Sequence, residues 1–325
     1  MTVAEPRSRI VTSTEVLVAG MVLSAFGGAW MHQGVAGNAR LATAGTVFCG
    51  VFLQAVPFLV LGVLISGLVA TFVSPDRLTR WLPRRPVGAV LTAGVAGAAL
   101  PGCECASVPV ARRLFGEGSA GAPALTFMLS SPAINPVVLV ATAVAFPGQP
   151  AMVLARAVAS LVSAVVVGVL WSRWGRLSWI TRALPRPQHS GEPRWTVFTE
   201  AARHDFLQAA SYLVIGAAAA ATLRVVVPPW VFEHVAGHLL IGVVTMALLA
   251  FVLALCSEAD AFVAASLTMV PLLPRLVFLV VGPAVDVKLV AMQAGLFGRA
   301  FALRFAPLTL VVTTVVATIV GLVLL

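Results

Sequence analysis

Pro101-Gly102-Cys103-Glu104-Cys105-Ala106-Ser107-Val108-Pro109 breaks an apolar run with a proline–glycine pair, two thiols and a carboxylate, and a second apolar helix begins at once. A weaker copy, Cys256-Ser257-Glu258-Ala259-Asp260-Ala261-Phe262-Val263, lies in the second half of the chain. Ionisable groups inside apolar spans are costly and mark function by default. On a continuous helix Cys103 and Cys105 point apart, whereas an unwound turn can aim both at one ligand. Such irregular backbone is tolerated at membrane depth only where it lines a cavity or is buried in protein. The two stretches are therefore expected to face each other and form one substrate site.

The composition sets the surroundings of that site. The sequence of 325 residues is 60% hydrophobic and 10% charged, against about 25% charged in soluble domains. A chain of this balance has no polar surface to show to water, so the expected fold class is all-α and polytopic in a membrane. The net charge of +9 would point to nucleic acid in a soluble protein. Here the arginines sit between apolar spans, which fits the positive-inside rule and no nucleic-acid partner. Full spans are expected at about 16–33, 44–73, 121–146, 150–171, 205–227, 238–256, 275–297 and 300–325, with shorter apolar pieces at 87–101, 105–115 and 260–271. Arg7 and Arg9 precede the first span, which has no clear small-residue cleavage site. It reads as retained, with the N-terminus cytoplasmic in the cell (inner or plasma) membrane.

The chain carries an internal duplication. FLQAVPFLVLG, from Phe52, recurs as FLQAASYLVIG, from Phe206, at an offset of 154 residues. Cys103 then falls on Cys256, Cys105 on Glu258 and Ser107 on Asp260, at an offset of 153. Pro132-Ala133-Ile134-Asn135 falls on Pro283-Ala284-Val285-Asp286, at 151. The organisation expected is an N-terminal tail and extra span (1–43), a first permease repeat (44–171), a cytoplasmic Arg/Pro-rich linker (172–204) and a second repeat (205–325). If 87–115 and 238–271 each enter and leave by one side, 16 arginines lie on the cytoplasmic face and four (Arg40, Arg156, Arg224, Arg275) outside. If each crosses once, the split is ten against ten. The positive-inside rule favours the first arrangement. It makes the repeats inverted, with broken or re-entrant helices meeting at mid-membrane, a recurring transporter plan. True hairpins and paired short spans give the same parity.

The candidate substrate site is Cys103, Glu104, Cys105, Cys256, Glu258 and Asp260. Of these, Cys103, Glu104, Cys105, Cys256 and Glu258 form a candidate metal set. Thiols select soft or borderline cations and carboxylates add hard oxygen, so the expected cargo is a thiophilic metal or metalloid species. Ser107, Asn135, Ser257, Asp286 and Lys288 are expected to support or couple. Asn135 reads as inter-helix glue, and so do Gln54 and Gln208. Lys288, the only lysine, is expected to neutralise Glu258 or Asp260 when the site is empty, or to relay a proton. Ser257 and Asp260 have capping-box spacing. Cys49 reads as a small buried hydrophobe. Glu233, His234 and His238 form either a metal-capture group or headgroup-level polar residues.

Gly102-Cys103-Glu104-Cys105 through Pro109-Val110-Ala111-Arg112-Arg113-Leu114 resembles the predicted permeases that include the ArsP-type organoarsenical efflux proteins. Phe127-Met128-Leu129-Ser130-Ser131-Pro132-Ala133-Ile134-Asn135-Pro136 and the Cys256–Phe262 stretch carry the same likeness. The resemblance implies an inner-membrane permease, with export of trivalent organoarsenicals through paired thiols as the activity of relatives. Glu104 and Ala106 stand where the arsenical pattern has serines. The Cys-Glu-Cys form resembles a branch often paired with a second membrane subunit, and the added acid makes a zinc-like divalent metal a rival cargo.

The resulting expectation is a secondary transporter rather than an enzyme, with no cofactor and no nucleotide-binding loop. Its partners are the bilayer, the cargo, a second membrane subunit and a second copy of itself. The competing reading is a membrane thiol oxidoreductase using Cys103 and Cys105, against which stands the C-x-C rather than C-x-x-C spacing.

Overall fold

Lipid offers backbone N–H and C=O groups no partner, so apolar segments must satisfy them internally, as helices. The computed structural model describes residues 39–72, 83, 85–98, 104–116, 121–175, 179–180, 194–226 and 239–325. The predicted span at 16–33, the turn Pro101-Gly102-Cys103, and Glu233, His234 and His238 lie outside these residues. Among the described residues every regular element is a helix. In chain order they are α1 (Ala39–Phe72), α2 (Pro86–Gly97), α3 (Glu104–Gly116), α4 (Gly121–Ile134), α5 (Pro136–Ala145) and α6 (Pro150–Trp174). The second half adds α7 (Arg194–Val226), α8 (Leu239–Leu253), α9 (Ser257–Ser266), α10 (Leu272–Ala284), α11 (Val287–Leu296) and α12 (Arg299–Leu324). The chain divides after Thr46, and all of the site belongs to the unit 47–325.

Five described stretches are long and apolar enough to cross a membrane: Leu41–Ile65, Gly121–Ala145, Pro150–Trp174, Leu272–Leu296 and Arg299–Leu324. Twenty-five helical residues reach about 37 Å, against about 30 Å of hydrocarbon. The protein is thus an all-α polytopic membrane protein. α2, with 12 residues, reaches only about 18 Å and does not cross alone. Val311, Val315 and Ile319 on α12, and Leu240, Val244 and Leu248 on α8, are exposed at helical spacing. Such apolar stripes suit contact with lipid rather than with water.

The sequence reads 121–146 as a helix made irregular by Gly121, Pro123, Pro132 and Pro136, and 275–297 as one span; the structure breaks both at corresponding positions. At Asn135 the backbone turns extended, Pro136 has no N–H to continue the ladder, and the Asn135 carboxamide oxygen accepts from the Val138 N–H at 3.0 Å. At Val285 and Asp286 the backbone is again extended, and the Asp286 carboxylate accepts from the Leu289 N–H at 2.5 Å. Asn135 therefore caps α5 rather than gluing helices through its carboxamide oxygen. Its duplicate, Asp286, caps α11.

Packing follows the duplication. α4 packs on α2, α3 and α6, and α10 packs on α8, α9 and α12. The halves then cross: α5 packs against α9, and α11 against α3. Two glycines of the repeated frame allow close approach. A methyl group on Gly62 would strike the backbone of Ala106 on α3, and one on Gly216 would strike the backbone of Lys288 on α11. At one end, Trp171 packs edge-on to Phe301 and Phe305, and Arg304 lies over the Trp179 ring at 4.8 Å. α7 begins at Arg194, inside the stretch that the sequence reads as linker.

Candidate functional site

Glu104 opens α3 and is fully buried, and Cys105 beside it is buried too. α3 is anchored by Ser107, whose hydroxyl donates to the Glu104 carbonyl of its own helix and to the Met128 carbonyl of α4, both at 3.1 Å. Pro132, four residues on, cannot donate to the Met128 carbonyl, so that acceptor is free for Ser107. Ser107 thus ties the start of α3 to α4.

Across from α3, the second acidic stretch also sits at a helix start. α8 ends at Leu253, and Ala254 takes φ +48°, a left-handed conformation rare for alanine. Cys256 is the N-cap of α9, with no side-chain cap bond. Ser257 is therefore not the cap, and the capping box read from the sequence does not form. Its hydroxyl lies 3.5 Å from Glu258 instead. Asp260 is buried, packed so closely on α10 that a methyl group on Gly282 would strike its carboxylate.

The two breaks are joined by buried cations. Lys288 on α11 is fully buried, and its ammonium meets Glu104 Oε1 at 2.5 Å, the Ala254 carbonyl at 3.4 Å and Asp286 Oδ2 at 3.6 Å. Cys105 and Cys256 both lie within its electrostatic reach. The sequence reading has Lys288 either neutralise Glu258 or Asp260 in the empty site or relay a proton. The structure pairs it with Glu104 and Asp286, because α11 packs on α3.

The second cation was missed in the sequence. Arg156, counted among the outside loop arginines, is fully buried on α6. Its guanidinium donates to the Thr142 hydroxyl at 2.7 Å and to the Ser257 carbonyl at 2.8 Å. It interacts electrostatically with Asp260 and Glu258. The signal was present: an arginine inside an apolar run is a site residue by default. Arg112 is likewise buried, not a free loop charge, and donates to Gln208 at 2.7 Å. That bond ties α3 to α7, the gluing expected of Gln208.

Four carboxylates converge here: Glu104 Oε2, Glu258 Oε1 and Asp260 Oδ2 are buried without a hydrogen-bond partner, and Asp286 Oδ2 has the Lys288 ammonium at 3.6 Å as an ion-pair contact only. Asp260 interacts with Glu104, Asp286, Lys288 and Arg156, and Glu258 with Glu104 and Arg156, so the two stretches form one electrostatic unit. Among the described residues no group of three or more His, Cys, Asp or Glu is arranged to hold a metal. Of the predicted metal set, Cys103 lies outside the described residues. Lys288 takes the Glu104 side. Cys49 is exposed on α1, not buried as read; an apolar neighbourhood in sequence is lipid as often as protein.

Fold and site together define a multi-pass membrane protein with charged, broken helices converging inside it. The chain belongs to the ArsP_1 family, described as predicted permease, whose model matches residues 40–322. It is 30% identical over 285 residues to a Streptococcus mutans protein described as a two-component membrane permease complex subunit, covering 85% of this chain and 94% of that protein. It is 33% identical over 279 residues to the UPF0718 protein YcgR of Bacillus subtilis, covering 84% and 94%. No solved structure matches the chain.

Proposed function

We propose that this permease is a secondary transporter of the plasma (inner) membrane, N-terminus cytoplasmic, that carries a thiophilic metal cation through the site shared by its two halves. The observation that carries the reading is the set of three buried carboxylate oxygens without a hydrogen-bond partner, Glu104 Oε2, Glu258 Oε1 and Asp260 Oδ2, beside two buried thiols. Buried acceptors without partners are rare and call for a ligand. Oxygens with thiols suit a borderline divalent ion. Glu104, Cys105, Cys256, Glu258, Asp260 and Asp286 are its ligands in this reading, with Cys103 at the turn before α3. The two halves act as inverted repeats that rock about the site. The carboxylates outnumber the thiols, which favours a zinc-like cation over a trivalent methylarsenical. The name of the Streptococcus mutans relative supports a second membrane subunit.

Purified protein in liposomes tests this by uptake of Zn²⁺ and of a trivalent methylarsenical. Zinc flux lost in Glu104→Gln and in Glu258→Gln is the expected result. Arsenical flux abolished by Cys105→Ser and untouched by both acid variants would replace the metal reading with a thiol trap.

A further inference from the structure

The ammonium of Lys288 is surrounded as a bound cation would be. Three oxygens from three separate segments face it: Glu104 at the start of α3, the Ala254 carbonyl after α8, and Asp286 at the start of α11. The ammonium donates to Glu104 and to the Ala254 carbonyl, and Asp286 completes its surroundings as an ion-pair contact at 3.6 Å. Two thiols stand within electrostatic reach. The corresponding position in the first half is Val137, so this cation is no relic of the duplication.

We propose that Lys288 is a built-in stand-in for the cargo: its ammonium fills the cation position of the empty site, and entry of the metal ion displaces it from Glu104. The inference rests on the metal reading above and deepens it, by naming what holds the site closed. A buried acid left without a counter-ion is strongly destabilising, so an empty site needs a resident charge. The lysine stem can supply that charge and withdraw by side-chain rotation alone. Its backbone stays in place, because Gly216 lets α7 close directly onto the Lys288 main chain. Arg156 cannot act in this way, since its fork is held by both Thr142 and the Ser257 carbonyl. The resident lysine also accounts for the lack of a preassembled metal cluster among the described residues: the oxygens are drawn to the ammonium.

Lys288 is the only lysine of the chain, so amine chemistry reports on it with the N-terminus as sole companion. The full-length protein in lipid nanodiscs would be titrated with Cd²⁺. Thiolate-to-cadmium charge-transfer absorption would report binding. Reductive methylation, read by mass spectrometry on the Lys288 peptide, would report the amine. Binding of Cd²⁺ is expected to raise Lys288 methylation about tenfold, equivalent to about 1.4 kcal/mol in the balance between buried and withdrawn lysine. The rise should vanish with the absorption in Cys105→Ser/Cys256→Ser. Absorption that appears while Lys288 stays protected overturns the stand-in and leaves the metal site. No absorption and no bound Cd²⁺ sinks the metal reading, and the inference with it.

Discussion

The two acidic breaks descend from one duplicated pattern, yet they are neutralised in different ways. Glu104 of the first half is met by Lys288 of the second, and the Ser257–Asp260 segment of the second half is met by Arg156 of the first. Each half thus supplies the counter-charge for the other, which ties the halves together across the site. The chemistry of the two cations differs. Lys288 is a point charge on a flexible stem, held by carboxylates and one carbonyl. Arg156 is a planar fork that grips a main-chain carbonyl and a hydroxyl. Arginine at a two-point site is fixed, whereas lysine can swing. The difference teaches that one side of the site is a clamp and the other a latch.

The largest expected effect comes from breaking the latch side alone. Lys288→Met leaves Glu104 and Asp286 buried without a counter-ion and should cost about 3–5 kcal/mol. Adding Glu104→Gln should restore much of that loss, as measured by thermal or denaturant unfolding in detergent. A double variant no more stable than Lys288→Met would show that the pair is not the energetic unit. The clamp side gives the next test. Arg156→Lys keeps the charge but cannot hold Thr142 and Ser257 together, and should cost about 1–3 kcal/mol through one unsatisfied buried partner. Full stability and zinc flux in Arg156→Lys would mean that only the charge matters there, and the contrast between clamp and latch would fall.

Two smaller predictions sharpen the comparison. Gly216→Ala pushes on the Lys288 backbone and Gly62→Ala on Ala106. Each should cost about 1–3 kcal/mol by overpacking. Gly216→Ala should change Lys288 methylation more than Gly62→Ala, since it bears on the Lys288 main chain itself. Ser107→Ala frees the Met128 carbonyl and should cost about 1 kcal/mol, with flux retained. A tenfold loss of flux in that variant would move Ser107 from anchoring α3 into the site itself.

Much of this was legible before the structure. Hydropathy set the class, and the repeated Phe-Leu-Gln-Ala frame exposed the duplication. The glycine ending each frame, Gly62 and Gly216, proves to be where helices touch main chain to main chain. The convergence of the two acidic stretches also followed from the cost of placing charge in lipid. What was illegible was pairing across the halves. Helical periodicity turns Lys288 away from Asp286, two residues before it; it shows neither that Asp286 leaves the helix as its cap nor that α11 delivers the lysine to Glu104. Arg156 was lost for a related reason. Six residues from Pro150, it looked like the edge of a span, and counting it as a loop charge hid its burial. The break at Asn135 is signalled by Pro136, whereas the one at Asp286 has no following proline. Its side chain makes the cap unaided.

The central claim is that both breaks build one site. It is tested most directly with Cys105 and Cys256, one from each break, in a chain carrying Cys49→Ser and Cys103→Ser. A short bifunctional thiol reagent would be applied in nanodiscs, and the digested protein searched by mass spectrometry for joined peptides. The account predicts a Cys105–Cys256 bridge that Cd²⁺ prevents. Both thiols modified singly and never joined, at reagent levels that consume both, would contradict it.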